Sequence, residues 1–553
     1  MPSRQTGFDF SVVTRARAAE RAPTHPAPEA TTETPPGASS GTLTLAQLER
    51  HLWGAADLLR GSIDSGDFKH YIFGLLFYKR LCDVWQEEYE ARLAEYGDAD
   101  LAADPEEHRF DIPWGCMWAD EPRPDPDPYP TDSNGRPLPR TTRVVSTDIG
   151  TQLNTSFRAI MDANPRLKGV FGEIDFANKQ RFPDALLERL LQHFERYRMR
   201  RADVDSTVLG DAYEYLIAKF ADDAGKKGGE FFTPKEVVRV MVEILRPEDG
   251  QTVYDPTCGA GGMLLETVHY MERHGLNPKS LALFGQEKNL NTWAICQMAL
   301  FLHDVDDATI AHGDTLLNPQ FTTDKDTLRR FDLVLANPPF SLKKWGHGAW
   351  ASGDAWGRDV YGVPPKSYGD LAFIQHMVAS LTARGRMACV VPHGVLFRGG
   401  AEGRIRKGLL EDDLVEAVVG LGPNLFYGTG IPAAILVLNR QKPLARKQNV
   451  LIVNGDKAFR PGKNQNTLSE ADVARLAGAV HRYADEDLFC RVVPLAEIRD
   501  NDHNLNLTRY VQTDPPPEPI DTRAEVAALR DLTAARDEAE TRMNDFLREL
   551  GYA

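Results

Sequence analysis

Five stretches of the chain hold residues whose types and spacing could do chemistry. The most specific is FDLVLANPPF, Phe331 to Phe340. A hydrophobic run delivers Asn337, and Pro338 and Pro339 then fix the backbone after it. A neutral side-chain amide and a proline-held carbonyl can both accept hydrogen bonds from a substrate NH2 group. That draws electron density onto the nitrogen as it attacks a methyl sulfonium. Phe340 offers an aromatic face for a base swung out of a duplex. The bland alternative is a strand ending in a proline turn, and two upstream motifs speak against it.

The first of these is VYDPTCGAGGMLLETV, Val253 to Val268. A strand should end at Asp255, small residues turn the corner, and a helix should start near Gly262. Gly259, Gly261 and Gly262 let the backbone pass close to a ligand where a Cβ would collide. The free N–H groups of the helix start suit a carboxylate or phosphate. A nicotinamide site would want G-x-G-x-x-G, and Leu264 stands where the third glycine belongs. Asp255, Thr257, Gly259, Ala260, Gly261 and Gly262 are therefore the candidate cofactor loop. The second is LFGQEKN, Leu283 to Asn289, where Glu287 closes a strand and could take ribose hydroxyls. In HGDTL, His312 to Leu316, Asp314 is a candidate acceptor for the cofactor's adenine amino group. Further upstream, GGEFFTPKEVV (Gly228 to Val238) leads into a helix with Pro234 near its start. Phe231 and Phe232 there could be core aromatics or a wall facing the cofactor.

These residues need a sheet to carry them. From about residue 230 short β-branched runs alternate with helical stretches: Thr252–Asp255, Leu281–Glu287, Phe331–Ala336, Met387–Pro392, Leu414–Leu421, Ala434–Leu438 and Val450–Asn454. That alternation predicts a doubly wound, mainly parallel α/β sheet of the Rossmann-like class I kind, with ligands at its carboxyl edge. Before it, Leu45, Leu48, Leu52, Ala55, Leu58 and Leu59 recur at helical spacing, and further apolar helices are expected at Tyr71–Val84, Thr151–Met161 and Pro183–Tyr197. The expected organisation is a disordered extension over 1–41 and a helical domain over 42–220 with a flexible insertion at 121–140. A methyltransferase-type domain follows over 221–510, then a linker and C-terminal helix over 511–553. That helix, Thr522–Leu550, sets Leu529, Leu532, Ala539, Met543, Phe546 and Leu550 on a heptad-like seam that Arg536 interrupts.

Composition narrows the class. The 553 residues are too many for one core, and 42 % hydrophobic with 26 % charged residues is a globular profile. No run of about 18 apolar residues occurs, and Met1 to Phe10 has no signal-like apolar stretch, so a cytoplasmic protein is expected. Cys82, Cys116, Cys258, Cys296, Cys389 and Cys490 form no C-x-x-C pair, which reads as free thiols rather than disulfides or a metal site. A net charge of −16 is unusual for a chain gripping DNA alone. Either the basic residues are confined to one face or a partner supplies much of the grip.

The motifs resemble those of the modification (M) subunits of type I restriction–modification systems, N6-adenine DNA methyltransferases. LERHLWGAADLLRGSIDSGDFKHYIFGLLFYKRLCD resembles the start of that family's helical domain, and DAYEYLIAKFADDAGKKGGEFFTP its junction into the catalytic domain. DPTCGAGG, GQEKN and NPPF are similar to its cofactor and catalytic motifs. GRMACVVPHGVLFRGG and LGPNLFYGTGIPAAILVLN resemble later segments, and the likeness spans about residues 42–510. The resemblance implies contact with S-adenosyl-L-methionine by Glu230, Phe231, Phe232, Thr233, Pro234, Lys235, Ala260 to Gly262 and Glu287, and catalysis by Asn337 to Phe340. It implies double-stranded DNA as substrate and a separate specificity (S) subunit flanked by two M subunits. A restriction (R) subunit can join such a complex, and the C-terminal helix would dock on the specificity subunit. The 1–41 extension and the 121–140 insertion have no counterpart in the pattern.

Other readings remain at this stage. A protein glutamine-amide methyltransferase shares an N-P-P-Y/F tetrapeptide, but is ordinarily smaller and ends it in Tyr. An N4-cytosine methyltransferase more often leads it with Ser. A non-catalytic scaffold would be expected to lose the glycines, Glu287 and Asn337 first. A self-sufficient enzyme would need a target-reading domain, and only about 40 residues follow the core.

Overall fold

The computed structural model describes residues 42–63, 68–118, 121–123, 147–224, 233–324, 327–426, 430, 432–463, 465–514 and 521–552, without the side chains of 218 and 220–224. The extension, most of the 121–140 insertion, Glu230, Phe231, Phe232 and the proline-rich break after Asp514 lie outside them.

Among the described residues nine strands form one sheet: β1 (Thr252–Asp255), β2 (Ala282–Glu287), β3 (Thr309–His312), β4 (Phe331–Ala336), β5 (Leu381–Pro392), β6 (Val415–Gly420), β7 (Ala433–Asn439), β8 (Asn449–Asn454) and β9 (Cys490–Pro494). Their order is β3-β2-β1-β4-β5-β7-β6-β8-β9. β1 pairs in parallel with β2 on one side and β4 on the other, so the chain's direction of progress reverses between β1 and β4. Loops leaving the carboxyl ends of those two strands flank a crevice there.

Both faces of the sheet are buried, which is why its strands read as continuous apolar runs. Val253, Leu333 and Leu335 face one core; Tyr254, Val334 and Ala336 face the other. The first core continues without a break into the helices Leu45–Leu59, Phe68–Tyr96, Ile149–Ala163, Asp184–Phe194 and Ser206–Ala224. Polar ties reinforce that junction. The Tyr213 hydroxyl donates to the Ile295 carbonyl at 3.0 Å, and Arg109 pairs with Asp304 and Asp306.

The sheet departs from the expected pattern in three places. β7 runs antiparallel between β5 and β6, and β9 runs antiparallel to β8. β3 and β9 were not expected, since TIAH and CRVVP are short strands at the two edges of the sheet. β5 starts six residues before its expected start, at Leu381, because its first half is polar and carries a register shift opposite Phe331–Leu333. Gly385 sits in that shift, where a Cβ would fall 2.9 Å from the Phe331 carbonyl oxygen.

All six cysteines are free and buried. Among the described residues no helix is long and apolar enough to cross a membrane, and no cluster of His, Cys, Asp or Glu is arranged to hold a metal ion. The C-terminal helix Thr522–Glu549 buries none of its residues, and Leu529, Leu532, Met543, Phe546 and Leu550 are each more than half exposed.

Candidate active site

β1 ends on Asp255, and the following loop turns back toward the end of β2. The Cys258 N–H donates to the Gln286 carbonyl at 3.1 Å, and Gly259 N–H donates to Glu287 Oε2 at 3.1 Å. Glu287 Oε1 accepts from the Asn289 N–H at 2.7 Å, so two backbone donors fix this carboxylate beside the loop. Gly259 and Gly261 have φ of +54° and +88°, a region that favours glycine, and Gly261 caps the helix Gly262–Arg273.

The three glycines play different parts. A Cβ on Gly261 would meet the Cys296 sulfur at 2.9 Å, inside the protein. Among the described residues it would meet nothing within 4 Å on Gly262, and on Gly259 only the Thr257 carbonyl at 4.0 Å. Gly259 and Gly262 therefore border open space, the shape of a cradle for a ligand. Thr257 adds a buried hydroxyl oxygen without a hydrogen-bond partner among the described residues.

Asp255 is buried and accepts the Thr257 N–H at 2.9 Å. Burial raises its carboxyl pKa to about 8, opposed by that hydrogen bond and aided by the nearby Glu287 charge. A ligand with a positive group would relieve this unfavourable position. Asp314 is committed locally: Oδ1 accepts the Leu316 and Leu317 N–H groups at 3.0 and 3.1 Å, and Oδ2 pairs with Lys288 at 2.8 Å. Next to it the Thr315 hydroxyl donates to the Pro256 carbonyl at 2.5 Å, tying this loop to the glycine loop.

β4 delivers the tetrapeptide to the same edge. Pro338 is buried, Pro339 exposed, and Asn337 and Phe340 half-buried. Asn337 Nδ2 donates to Thr233 Oγ1 at 2.7 Å, while its Oδ1 is buried with no hydrogen-bond partner among the described residues. The amide is thus held by its donor end and presents an unused acceptor, as a substrate amino group requires. Phe340 packs edge-on to Phe426, with ring centroids 5.9 Å apart.

Thr233, expected beside the cofactor, also orients the catalytic candidate. Pro234 is buried and caps the helix Lys235–Leu245. The Lys235 ammonium lies 2.9 Å from Asp211 and 3.4 Å from Glu214 on the preceding helical domain. Two further features escaped sequence reasoning. Asp370 binds the backbone just after the tetrapeptide, and Cys296 backs the glycine loop. Neither carries a motif of its own; each acts through a contact that only the fold creates.

Residues 204–518 match the N-6 DNA methylase family, and residues 48–194 match the HsdM N-terminal domain. The HindI type I restriction enzyme methylase subunit of Haemophilus influenzae is 32 % identical over 72 % of this chain and 92 % of its own length. The MjaVIII methylase subunit of Methanocaldococcus jannaschii is 35 % identical over 61 % of this chain, which spans 58 % of that relative's length. The crystal structure of a type I restriction–modification methyltransferase subunit from Streptococcus thermophilus superposes with a TM-score of 0.72 at 30 % identity, covering 85 % of this chain and all of that one.

Proposed function

The chain belongs to the N-6 DNA methylase family, as the methylase subunit of a type I restriction–modification system and so an N6-adenine DNA methyltransferase, and on that premise we propose that Asn337 to Phe340 are its catalytic tetrapeptide. The observation that carries this is the buried, unused Oδ1 of Asn337 beside an amide nitrogen already committed to Thr233.

We further propose that S-adenosyl-L-methionine occupies the hollow bordered by Gly259 and Gly262. Glu287 would take its ribose hydroxyls, Asp255 and Thr257 its polar methionine end, and Asp314 its adenine edge, with Ala260 and Gly261 shaping the turn. Thr233, Pro234 and Lys235 would also contact it, as would Glu230, Phe231 and Phe232, which lie outside the described residues. When bound, this cofactor supplies an activated methyl group on a positively charged sulfur. The open Cβ directions and the unpaired Thr257 oxygen fit such a ligand.

In this reading Asn337 Oδ1 and the Pro338 carbonyl accept the two N–H bonds of the adenine amino group. They hold its nitrogen lone pair toward the methyl carbon. The amino group held by Asn337 and the Pro338 carbonyl would give up one proton to solvent as it takes the methyl group that the bound cofactor supplies. Phe340 stacks on the extruded base and stands in for the neighbouring bases of the duplex.

The substrate is double-stranded DNA read through a specificity subunit, with two copies of this chain per specificity subunit. A restriction subunit can join them. The exposed apolar stripe of Thr522–Glu549 supports the assembly, since a 28-residue helix that buries none of its residues and exposes Leu529, Leu532, Met543 and Phe546 suits docking.

Labelled methyl transfer to adenine tests the proposal, using the chain coexpressed with its specificity subunit. Asn337→Ala should lower kcat by roughly 100- to 1,000-fold with cofactor affinity within a few-fold, as expected for a contact made only with the reacting group. Turnover at the wild-type rate would remove Asn337 from the mechanism. Deleting residues 520–553 should leave a folded, cofactor-binding chain that no longer copurifies with the specificity subunit. Undiminished copurification would refute the docking role.

A further inference from the structure

The residue that follows the tetrapeptide is held in an unfavourable conformation. Ser341 has φ of +53°, in the left-handed region that side-chain-bearing residues rarely adopt. Its N–H donates to Asp370 Oδ1 at 2.9 Å, and the next residue's carbonyl, on Leu342, accepts the Gly369 N–H at 3.1 Å. The loop is therefore tied at two points to the start of the helix Asp370–Ala379.

Asp370 is only 4 % exposed, and its Oδ2 is buried without a hydrogen bond among the described residues. A buried carboxylate is costly unless a cation compensates it. Arg398 Nη1 lies 4.0 Å from that oxygen. Arg398 is itself fixed: it donates to both oxygens of buried Glu402 at 3.0 and 3.1 Å, and its guanidinium lies 4.3 Å over the Tyr368 ring. Arg406 clamps its backbone, donating to the Arg398 carbonyl at 2.9 Å. A Cβ on Gly394 would occupy the space its guanidinium fills. Asp370, Arg398 and Glu402 thus converge behind one loop.

We propose that Asp370, supported by Arg398, is the positioning residue that sets the catalytic loop; this rests on reading Asn337 to Phe340 as the tetrapeptide. Thr233 fixes the loop's entrance and Asp370 its exit. Releasing either end lets the Asn337 acceptor and the Phe340 face drift relative to the methyl group. A misplacement of about 1 Å costs on the order of 100-fold in rate.

The test uses the methylase assembled with its specificity subunit. Asp370→Ala should lower kcat by about 100-fold, with KM for DNA and cofactor Kd changed less than about 3-fold. Asp370→Asn keeps an acceptor for the Ser341 N–H and should recover to within about 5-fold of wild type. Wild-type kcat in Asp370→Ala, an Asp370→Asn as poor as Asp370→Ala, or a parallel loss of cofactor binding would each overturn the proposal. Should Asp370→Ala not fold, Arg398→Gln carries the test, since it leaves the Ser341 bond in place. A fall in kcat of about 10-fold at unchanged cofactor affinity supports the brace, and an unchanged kcat overturns it. Asn337→Ala measured in parallel separates the two readings. An active Asn337→Ala removes the tetrapeptide assignment, whereas an inactive one beside a fully active Asp370→Ala removes only the brace.

Discussion

Between Asp255 and Gly262 the backbone shapes the site: two positive-φ glycines bend the loop, and open space lies where side chains on Gly259 and Gly262 would stand. Between Asn337 and Ser341 the side chains shape it. Two prolines stiffen the loop, Thr233 grips the amide at one end, and Asp370 grips a strained residue at the other. The first loop makes room, which glycines can do without help. The second aims an atom, which needs partners outside the loop. Substitutions should therefore act on binding at the first loop and on turnover at the second.

Within the glycine loop the sharpest contrast is between neighbours. Gly262→Val introduces a side chain whose Cβ meets no atom of the described residues within 4 Å, at a position with ordinary helical φ. Its cost should fall on the ligand: overpacking of roughly 1–3 kcal/mol weakens cofactor binding by about 10- to 100-fold, with melting temperature nearly unchanged. Gly261→Ala meets Cys296 and forces φ of +88° on a side-chain-bearing residue, so it should destabilise the fold. Calorimetric Kd and thermal melts on both variants decide the matter. Equal loss of affinity at unchanged stability would erase the distinction between the ligand-facing and protein-facing glycines.

The same contrast explains what could be read from the sequence. The glycine loop, Glu287 and the tetrapeptide are strings of adjacent letters whose chemistry is local, and β1 and β4 were legible to the residue because each is a short apolar run ending at a ligand loop. Thr233 was legible as a site residue but not as the partner of Asn337, 104 positions away. Asp370 and Arg398 were invisible because nothing in SYGDLAF or VLFRGG marks a residue that works through another's backbone. Lys235 was legible as a candidate ligand contact but not as the ion-pair partner of Asp211 and Glu214 on the helical domain. The antiparallel placement of β7 was equally hidden, since strand direction depends on connections rather than on residue pattern.

Thr233→Val offers a near-isosteric cut at the second loop. It removes the hydroxyl that accepts from Asn337 Nδ2 and leaves the amide free to rotate. Loss of one such bond is worth about 1 kcal/mol, so kcat should fall roughly 5- to 10-fold. Thr233→Ser, which keeps the acceptor, should stay close to wild type. Because Thr233 also lies on the proposed cofactor side, the informative comparison is kcat against cofactor Kd. A Thr233→Val variant that lost affinity while keeping kcat would make Thr233 a cofactor residue only.

The smallest expected effect is a proton count, and it tests whether the first loop receives a cation. Burial holds the Asp255 pKa at about 8, against about 3.9 in an unfolded chain. Between those values the folded protein holds a proton that the unfolded chain has released, so Asp255's contribution to stability is full below about pH 4. It is lost progressively as pH rises through 8. S-adenosyl-L-methionine carries positive ammonium and sulfonium groups. Seating either beside Asp255 favours the carboxylate, lowers the bound-state pKa and expels the proton near neutrality. Titration calorimetry at pH 7 in buffers of different ionisation enthalpy should show release of roughly half to one proton per cofactor bound. Asp255→Asn should abolish the buffer dependence, because an amide has no proton to give. The opposite buffer dependence, with protons taken up, would mean that the ligand stabilises the neutral acid. A heat independent of buffer in the unsubstituted protein would place the cation away from Asp255. The methionine end would then have to be held elsewhere, with Asp255 serving only to bend the loop through its bond to Thr257.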